Sequence, residues 1–145
     1  MSLEQPVAIT CPQCDRAQEV MVWSSLNVQV SPHAKDDLFN GEINVFECES
    51  CGHKANLVVP FLYHDMALQF CVQFYPPELM DDEETLQLYK TDGTSAADLF
   101  GAMPTSEETR LQTAYMLRPH IVFDMRELLL YILFREKLAA FHAEQ

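Results

Sequence analysis

The sequence of 145 residues contains little glycine. Its 4 glycines are too few for a phosphate-binding loop, a dinucleotide fingerprint or a nucleophile elbow, which need glycines at fixed positions. With only 8 prolines as well, the composition argues against flexible linkers and low-complexity tracts. Hydrophobic residues make up 48% of the chain, so it can bury a core. We expect one domain, or one domain with an appended helical part.

Basic residues are also scarce. Nine lysines and arginines stand against 22 acids, which gives a formal net charge of -13. Phosphate backbones and anionic lipid surfaces repel such a chain, because binding them requires clustered lysine and arginine. We therefore expect neither a nucleic acid nor a membrane as a partner. Only a local patch of Arg16, Lys35 and Lys54 would favour a nucleic-acid-binding zinc ribbon.

Long apolar runs are missing too. The longest, residues 128–134, is far shorter than a membrane span requires. Residues 1–6 show neither the basic start nor the apolar run of a signal peptide. We expect a cytoplasmic protein, in which thiols stay reduced and paired cysteines are metal ligands rather than disulfides.

Four of the five cysteines form two identically spaced pairs. Cys11 and Cys14 enclose Pro-Gln, and Cys48 and Cys51 enclose Glu-Ser. Each spacing lets a tight turn direct two sulfurs at a common centre, so two turns supply the four thiolates of a tetrahedral site. The sequence predicts one zinc ion, which is structural because four thiolates leave no open coordination position. Neither pair begins a helix in a βαβ pattern, as a thioredoxin-like redox site requires.

The residues next to these pairs, and the fifth cysteine, have simple interpretations. Asp15 and Gly52 each follow a pair, where a left-handed backbone closes the turn. Cys71 lies in an alternating segment without a partner, so we interpret it as a small buried apolar residue.

Alternation of apolar residues predicts that the first half is mostly β. The predicted strands cover residues 19–30 (bent near 24–25), 43–46, 56–63 (interrupted by Pro60) and 66–75. Ser31 and Pro32 begin a helix of about two turns that ends at Gly41. Both cysteine pairs then lie at adjacent hairpin tips. We predict an α+β fold, with an antiparallel β region and a short inserted helix in residues 1–75.

Residues 76–145 are predicted to form a helical extension that packs on the β region as one domain. Residues 81–89 resemble a short helix, residues 94–116 helices and loops, and residues 121–123 a final strand. Asp124 and Glu127 then fit the cap of a helix that runs to about residue 141.

This last helix carries two apolar stripes, where a surface helix needs only one. The stripes are Met125, Leu128, Leu129 and Ile132, and Tyr131, Phe134, Leu138 and Phe141. We favour a helix clamped between two layers of its own domain. The alternative is that a protein partner or a second copy of the chain covers one stripe.

The landmarks of the first half resemble the CpXC family, which is named for its first cysteine pair. The matching segments are Cys11 to Cys14, Val22 to Val28, Gly41 to Gly52 and Phe61 to Asp65, with a weaker strand-then-helix match from Tyr115 to Leu138. The resemblance implies a bacterial or archaeal protein with a zinc-ribbon-like site. It implies no activity.

Tyr63, His64 and Asp65 are the best candidates for a role beyond packing. A histidine beside an aspartate can do acid-base work or orient a ligand. The same residues also suit a turn in which Asp65 accepts hydrogen bonds from backbone amides and His64 bonds to the sheet. No nucleophile or second carboxylate is near them in sequence, so we favour the structural interpretation.

Two hypotheses of function remain beside the nucleic-acid-binding ribbon. The first is a non-enzymatic zinc-binding domain that acts by protein contact or homodimerisation. The second is a hydrolase or small-ligand-binding protein that uses Tyr63, His64 and Asp65.

Overall fold

The computed structural model describes residues 2–145, which form a mixed sheet with helices around it. Its strands are β1 (Leu3–Thr10), β2 (Ala17–Asn27), β3 (Val45–Glu47), β4 (Lys54–Asn56), β5 (Phe61–Asp65), β6 (Phe70–Phe74) and β7 (His120–Val122). Its α-helices are α1 (Pro32–Phe39), α2 (Glu83–Leu86), α3 (Glu107–Thr113) and α4 (Met125–Ala143), and short 3-10 helices cover Pro77–Asp81 and Ala114–Leu117.

Five strands form the main sheet in the order β1-β2-β5-β6-β7, and β3 pairs with β4 in a separate antiparallel ribbon. Within the main sheet, β1–β2 and β5–β6 are antiparallel, whereas β2–β5 and β6–β7 are parallel. The predicted α+β class is confirmed. The sheet is nevertheless mixed rather than wholly antiparallel, because crossover segments link β2 to β5 and β6 to β7.

The predicted bend in the first long strand is a β-bulge. Leu3 pairs with Ser25 and Glu4 with Trp23, which leaves Ser24 as the extra residue of β2. The bulge reverses the sides on which later residues lie, so that Trp23 and Leu26, three positions apart, both pack against the same core. Side-chain alternation in the sequence could not show this reversal.

The predicted strand over residues 56–63 is wrong, because this segment belongs to two different sheets. Asn56 ends β4, and Phe61 begins β5 after a stretch without regular structure that contains Pro60. Proline has no N–H to donate to a ladder, so pairing stops there and resumes in the other sheet.

Two helix ends match their predicted signals. α1 begins after Ser31, and Gly41 follows it with φ +73°, the left-handed conformation that glycine tolerates. At α4, the Asp124 side chain accepts a hydrogen bond from the Arg126 amide and so caps the helix. The Ser31 hydroxyl, by contrast, bonds to Ser2 Oγ rather than to its own helix.

One main core lies between the sheet and helices α1 and α4. It includes Leu26 and Leu38 from the first half of the chain and Leu128 and Ile132 from α4, all at most 3% exposed. None of the helices within residues 2–145 combines the length and hydropathy that a membrane span requires.

The prediction that α4 is clamped on both sides is wrong. Leu128 and Ile132 are buried against the sheet, but Phe134 and Phe141 of the second stripe are 55% and 57% exposed. Residues 76–117, which we expected to supply helices, contact β6 through the Ala114–Leu117 helix and leave Phe134 and Phe141 uncovered.

Candidate metal centre

Two turns with the same backbone conformation carry the four cysteines. Cys11 and Cys14 lie between β1 and β2, and Cys48 and Cys51 lie between β3 and β4. The Cys11 amide donates to the Arg16 carbonyl at 2.9 Å, and the Cys48 amide donates to the His53 carbonyl at 2.8 Å. Each turn thus closes between a first cysteine and the residue five positions later.

The residue after each pair adopts the predicted left-handed conformation. Asp15 has φ +60° and Gly52 has φ +76°. Their amides each donate to the carbonyl of the first cysteine of the pair, at 2.9 Å in both turns. These backbone hydrogen bonds therefore close each turn around its pair of cysteines.

The two turns bring their sulfurs together from separate sheets. All four Sγ atoms lie within 4.8 Å of one another, and contacts across the site join Cys11 to Cys51 at 3.6 Å and Cys14 to Cys48 at 3.5 Å. A tetrahedron with metal–sulfur bonds of about 2.3 Å has sulfurs about 3.8 Å apart. The four cysteines are therefore positioned to bind one metal ion.

Each turn contributes one buried and one exposed cysteine. Cys11 and Cys48 are buried and pack with Phe46, which is 1% exposed, in a second small core. Ile9, Val20 and Leu57 cover this core, while Cys14 and Cys51 face solvent. One side of the cysteine cluster thus packs against apolar residues, and the other side is accessible to an ion from solvent.

The thiols of the site have unequal acidity. The Cys51 backbone amide is the main cause that lowers the pKa of Cys48 to about 6, as expected for a thiolate that accepts hydrogen bonds. At Cys51 the His53 amide lowers the pKa, but partial desolvation of the thiol and hydrogen bonds with the other three sulfurs outweigh it and raise the pKa to about 12. A bound dication favours the thiolate form of all four cysteines, so metal binding releases protons.

Two polar side chains that no sequence motif singled out hold the cysteine turns in place. Gln18 donates from Nε2 to the Glu47 carbonyl at 2.8 Å, and its Oε1 accepts from the Glu49 amide at 3.0 Å. Asn44 Oδ1 accepts from the Trp23 amide at 2.7 Å, and its Nδ2 donates to the Trp23 carbonyl at 2.9 Å. Both contacts connect β2 with the segment that carries the second cysteine pair.

Tyr63, His64 and Asp65 lie in β5 and are 0%, 4% and 6% exposed. His64 Nε2 lies 2.6 Å from the hydroxyl of Tyr115, a residue that nothing in the local sequence linked to it. Asp65 Oδ1 accepts from Gln29 Nε2 and from the Leu68 amide, both at 2.9 Å. His64 and Asp65 therefore both make hydrogen bonds within the folded chain, two of them to residues distant in sequence.

Cys71 is buried, as predicted, and pairs in register with His64 on the neighbouring strand. Burial raises the pKa of its thiol to about 11, so it is neutral near pH 7. A cavity of about 410 Å³ beside it is lined by Tyr115, Arg118 and Arg135 as well, but not by the three predicted residues.

The basic patch proposed from the sequence is partly neutralised. Lys35 forms an ion pair with Glu136 of α4, and Lys54 Nζ lies 3.8 Å from Glu47 Oε2. These acids compete with any phosphate for the two lysines.

Fold and site together define an α+β protein in which four cysteines between two hairpins are positioned to bind one metal ion. The chain belongs to the CpXC family, because the family model described as "CpXC protein" matches residues 9–144, nearly the whole sequence. The resemblance seen in the sequence is thus confirmed. No curated protein and no solved structure matches the chain.

Proposed function

We propose that this protein is a non-enzymatic, cytoplasmic module in which one zinc ion ties two hairpins together and the folded chain acts by contact with protein. The observation that carries the proposal is the convergence of four sulfurs from two matching turns. An all-thiolate tetrahedral set favours zinc or iron–sulfur chemistry among biological metals, and paired C-x-x-C turns around a single ion are typical of zinc.

A complete thiolate set supports a structural rather than a catalytic metal. With four protein ligands, zinc has no position left for a water or a substrate, so it cannot activate either. Its contribution is instead to folding, because the turns converge only when the two hairpins have assembled.

Metal analysis tests this proposal directly. We expect purified protein to contain one zinc per chain by native mass spectrometry, and Cys14→Ser combined with Cys51→Ser to abolish it. These two positions are exposed, so the double variant removes ligands without opening a cavity. Cys71→Ser serves as the matched control and should retain the metal, because Cys71 lies outside the cluster. Zinc-free wild-type protein, or iron in its place, would contradict the proposal.

The geometry supports a structural role for Tyr63, His64 and Asp65 better than a catalytic one. All three are buried, and the hydrogen bonds of His64 and Asp65 bind β5 to Tyr115, Gln29 and the following turn. The thiol of Cys71, next to His64 on β6, is a poor nucleophile. Only a thiolate attacks, and burial disfavours the thiolate form of Cys71.

A further inference from the structure

The metal centre does not explain the exposed apolar face of α4. Leu130, Phe134 and Phe141 follow one another at spacings of four and seven residues, so they share one side of the helix. Buried Ile132 lies two residues beyond Leu130, which corresponds to about 200° around the helix and thus to the opposite side. Leu133 and Leu138, 40% and 39% exposed, flank this outer stripe.

The size of this stripe suits a protein interface. The two phenylalanines and three leucines of this face are 39–57% exposed. With about 150–250 Å² for an aromatic side chain and somewhat less for a leucine, they leave roughly 450 Å² of apolar surface open. That is about as much as a monomer ordinarily exposes in one patch, and over half of the ~800 Å² that each partner contributes to a stable interface. The charged residues along the stripe can supply the rest of the buried area.

The charge of α4 points to a second copy of the chain as the occupant. From residue 125 to 144 the helix and its cap carry three basic and three acidic residues, so the whole net charge of -13 lies elsewhere. Two copies would repel each other through most of their surfaces. They can approach at the neutral, apolar face of α4 without bringing that excess charge together.

We propose that two copies of this protein pair through the exposed faces of antiparallel α4 helices. This deepens the proposed function, since it names the protein that the module contacts. In this arrangement Leu130 of each copy lies opposite Phe141 of the partner subunit. Both copies use the same residues, so the interface is isologous.

The same register places opposite charges together. Arg126 and Glu144 are both exposed. They are five full helical turns apart, so they lie on the same edge of the stripe. In the antiparallel pair Arg126 of each copy lies beside Glu144 of the partner subunit, and twofold symmetry makes this contact twice. Lys137 comes opposite Phe134 of the partner subunit, where an ammonium group can lie over the ring.

Light scattering tests the interface at micromolar concentration. We expect the wild type at twice the 16.6 kDa chain mass, and Phe134→Glu at the mass of one chain. Leu111→Glu is the matched control, because Leu111 is exposed on a different helix, and it should remain dimeric. Both variants change exposed side chains, so their circular dichroism should match that of the wild type. A monomeric wild type, or a Phe134→Glu dimer, would overturn the proposal.

Charge reversal tests the antiparallel register. Arg126→Glu and Glu144→Arg should each weaken dimerisation roughly fivefold, because each removes two symmetric surface ion pairs. The double variant should restore the wild-type dissociation constant. Failure of restoration would contradict this register. Zinc content measured on the same samples separates the two proposals: a zinc-loaded monomer contradicts only the dimer, and a zinc-free dimer contradicts only the metal.

Discussion

His64 illustrates how a single residue acquires its properties from distant parts of the chain. It is 4% exposed in the middle of the sheet, and its ring nitrogen contacts the hydroxyl of Tyr115, 51 residues away. Burial disfavours the charged imidazolium and lowers the pKa of His64 below its ordinary value. The folded structure therefore favours the neutral form of the His64 imidazole.

This lowered pKa predicts a loss of stability in acid. The unfolded chain binds a proton at His64 near pH 6.5 while the folded chain does not, so the free energy of unfolding falls as the pH drops through that value. The fall ends below the folded pKa, where both states are protonated. Urea unfolding at pH 7.5 and 5.5 should show a smaller loss in His64→Gln than in the wild type. His142→Gln, at an exposed position, should show the wild-type loss; equal losses in all three proteins would refute the assignment.

Individual residues were predictable where the cause is local. The left-handed conformations of Asp15 and Gly52 follow from the turn that a C-x-x-C pair requires, and the Asp124 cap follows from helix-end chemistry. The Tyr115 partner of His64 was not predictable, because a contact across 51 residues depends on the path of the whole chain.

At the scale of elements, the junction between the hairpins depends on Asn44. Its side-chain amide makes both hydrogen bonds that a neighbouring strand would make to Trp23, so it joins β2 to the segment before β3. Asn44 is 9% exposed and has φ +56°, a conformation that asparagine tolerates better than most residues.

We expect Asn44→Gly to destabilise the protein by about 1–3 kcal/mol, because the Trp23 amide and carbonyl lose their partners. Asn44→Ala should cost about 1–2 kcal/mol more, since a Cβ in the left-handed region adds strain. Gln69→Gly is the control, because Gln69 also has a left-handed backbone, with φ +54°. Glycine relieves the strain of that conformation, so this variant should not lose stability. Denaturant midpoints measure all three. An Asn44→Gly variant as stable as the wild type would show that this amide does not join the hairpins.

Strands were predictable from alternation, but their pairing was not. Hairpin partners such as β5 and β6 are neighbours in sequence, whereas the parallel pairs β2–β5 and β6–β7 join strands separated by long crossovers. The split between β4 and β5 was missed for a related reason, because Pro60 signals an interruption without saying that the chain changes sheets. α2 and α3 are short and bury none of their residues, so they lack the periodicity that marks longer helices.

For the whole molecule, two structural units meet at one cluster of sulfurs. The main core holds the sheet, α1 and α4 together, while β3, β4 and the end of the β1–β2 hairpin depend on a much smaller core around Phe46. The spacing of the cysteines was sufficient to predict the cluster. The exposure of the outer α4 stripe was not predictable, because it depends on where residues 76–117 pack rather than on the helix itself.

Treatment with a metal chelator, followed by thermal melting and amide hydrogen exchange, tests the central claim most directly. We predict a lower melting temperature and faster exchange in β3, β4 and the turn that holds Cys11 and Cys14, with β5, β6 and α4 still protected. Unchanged melting and unchanged exchange after complete metal removal would contradict the claim that a metal ion joins the two hairpins.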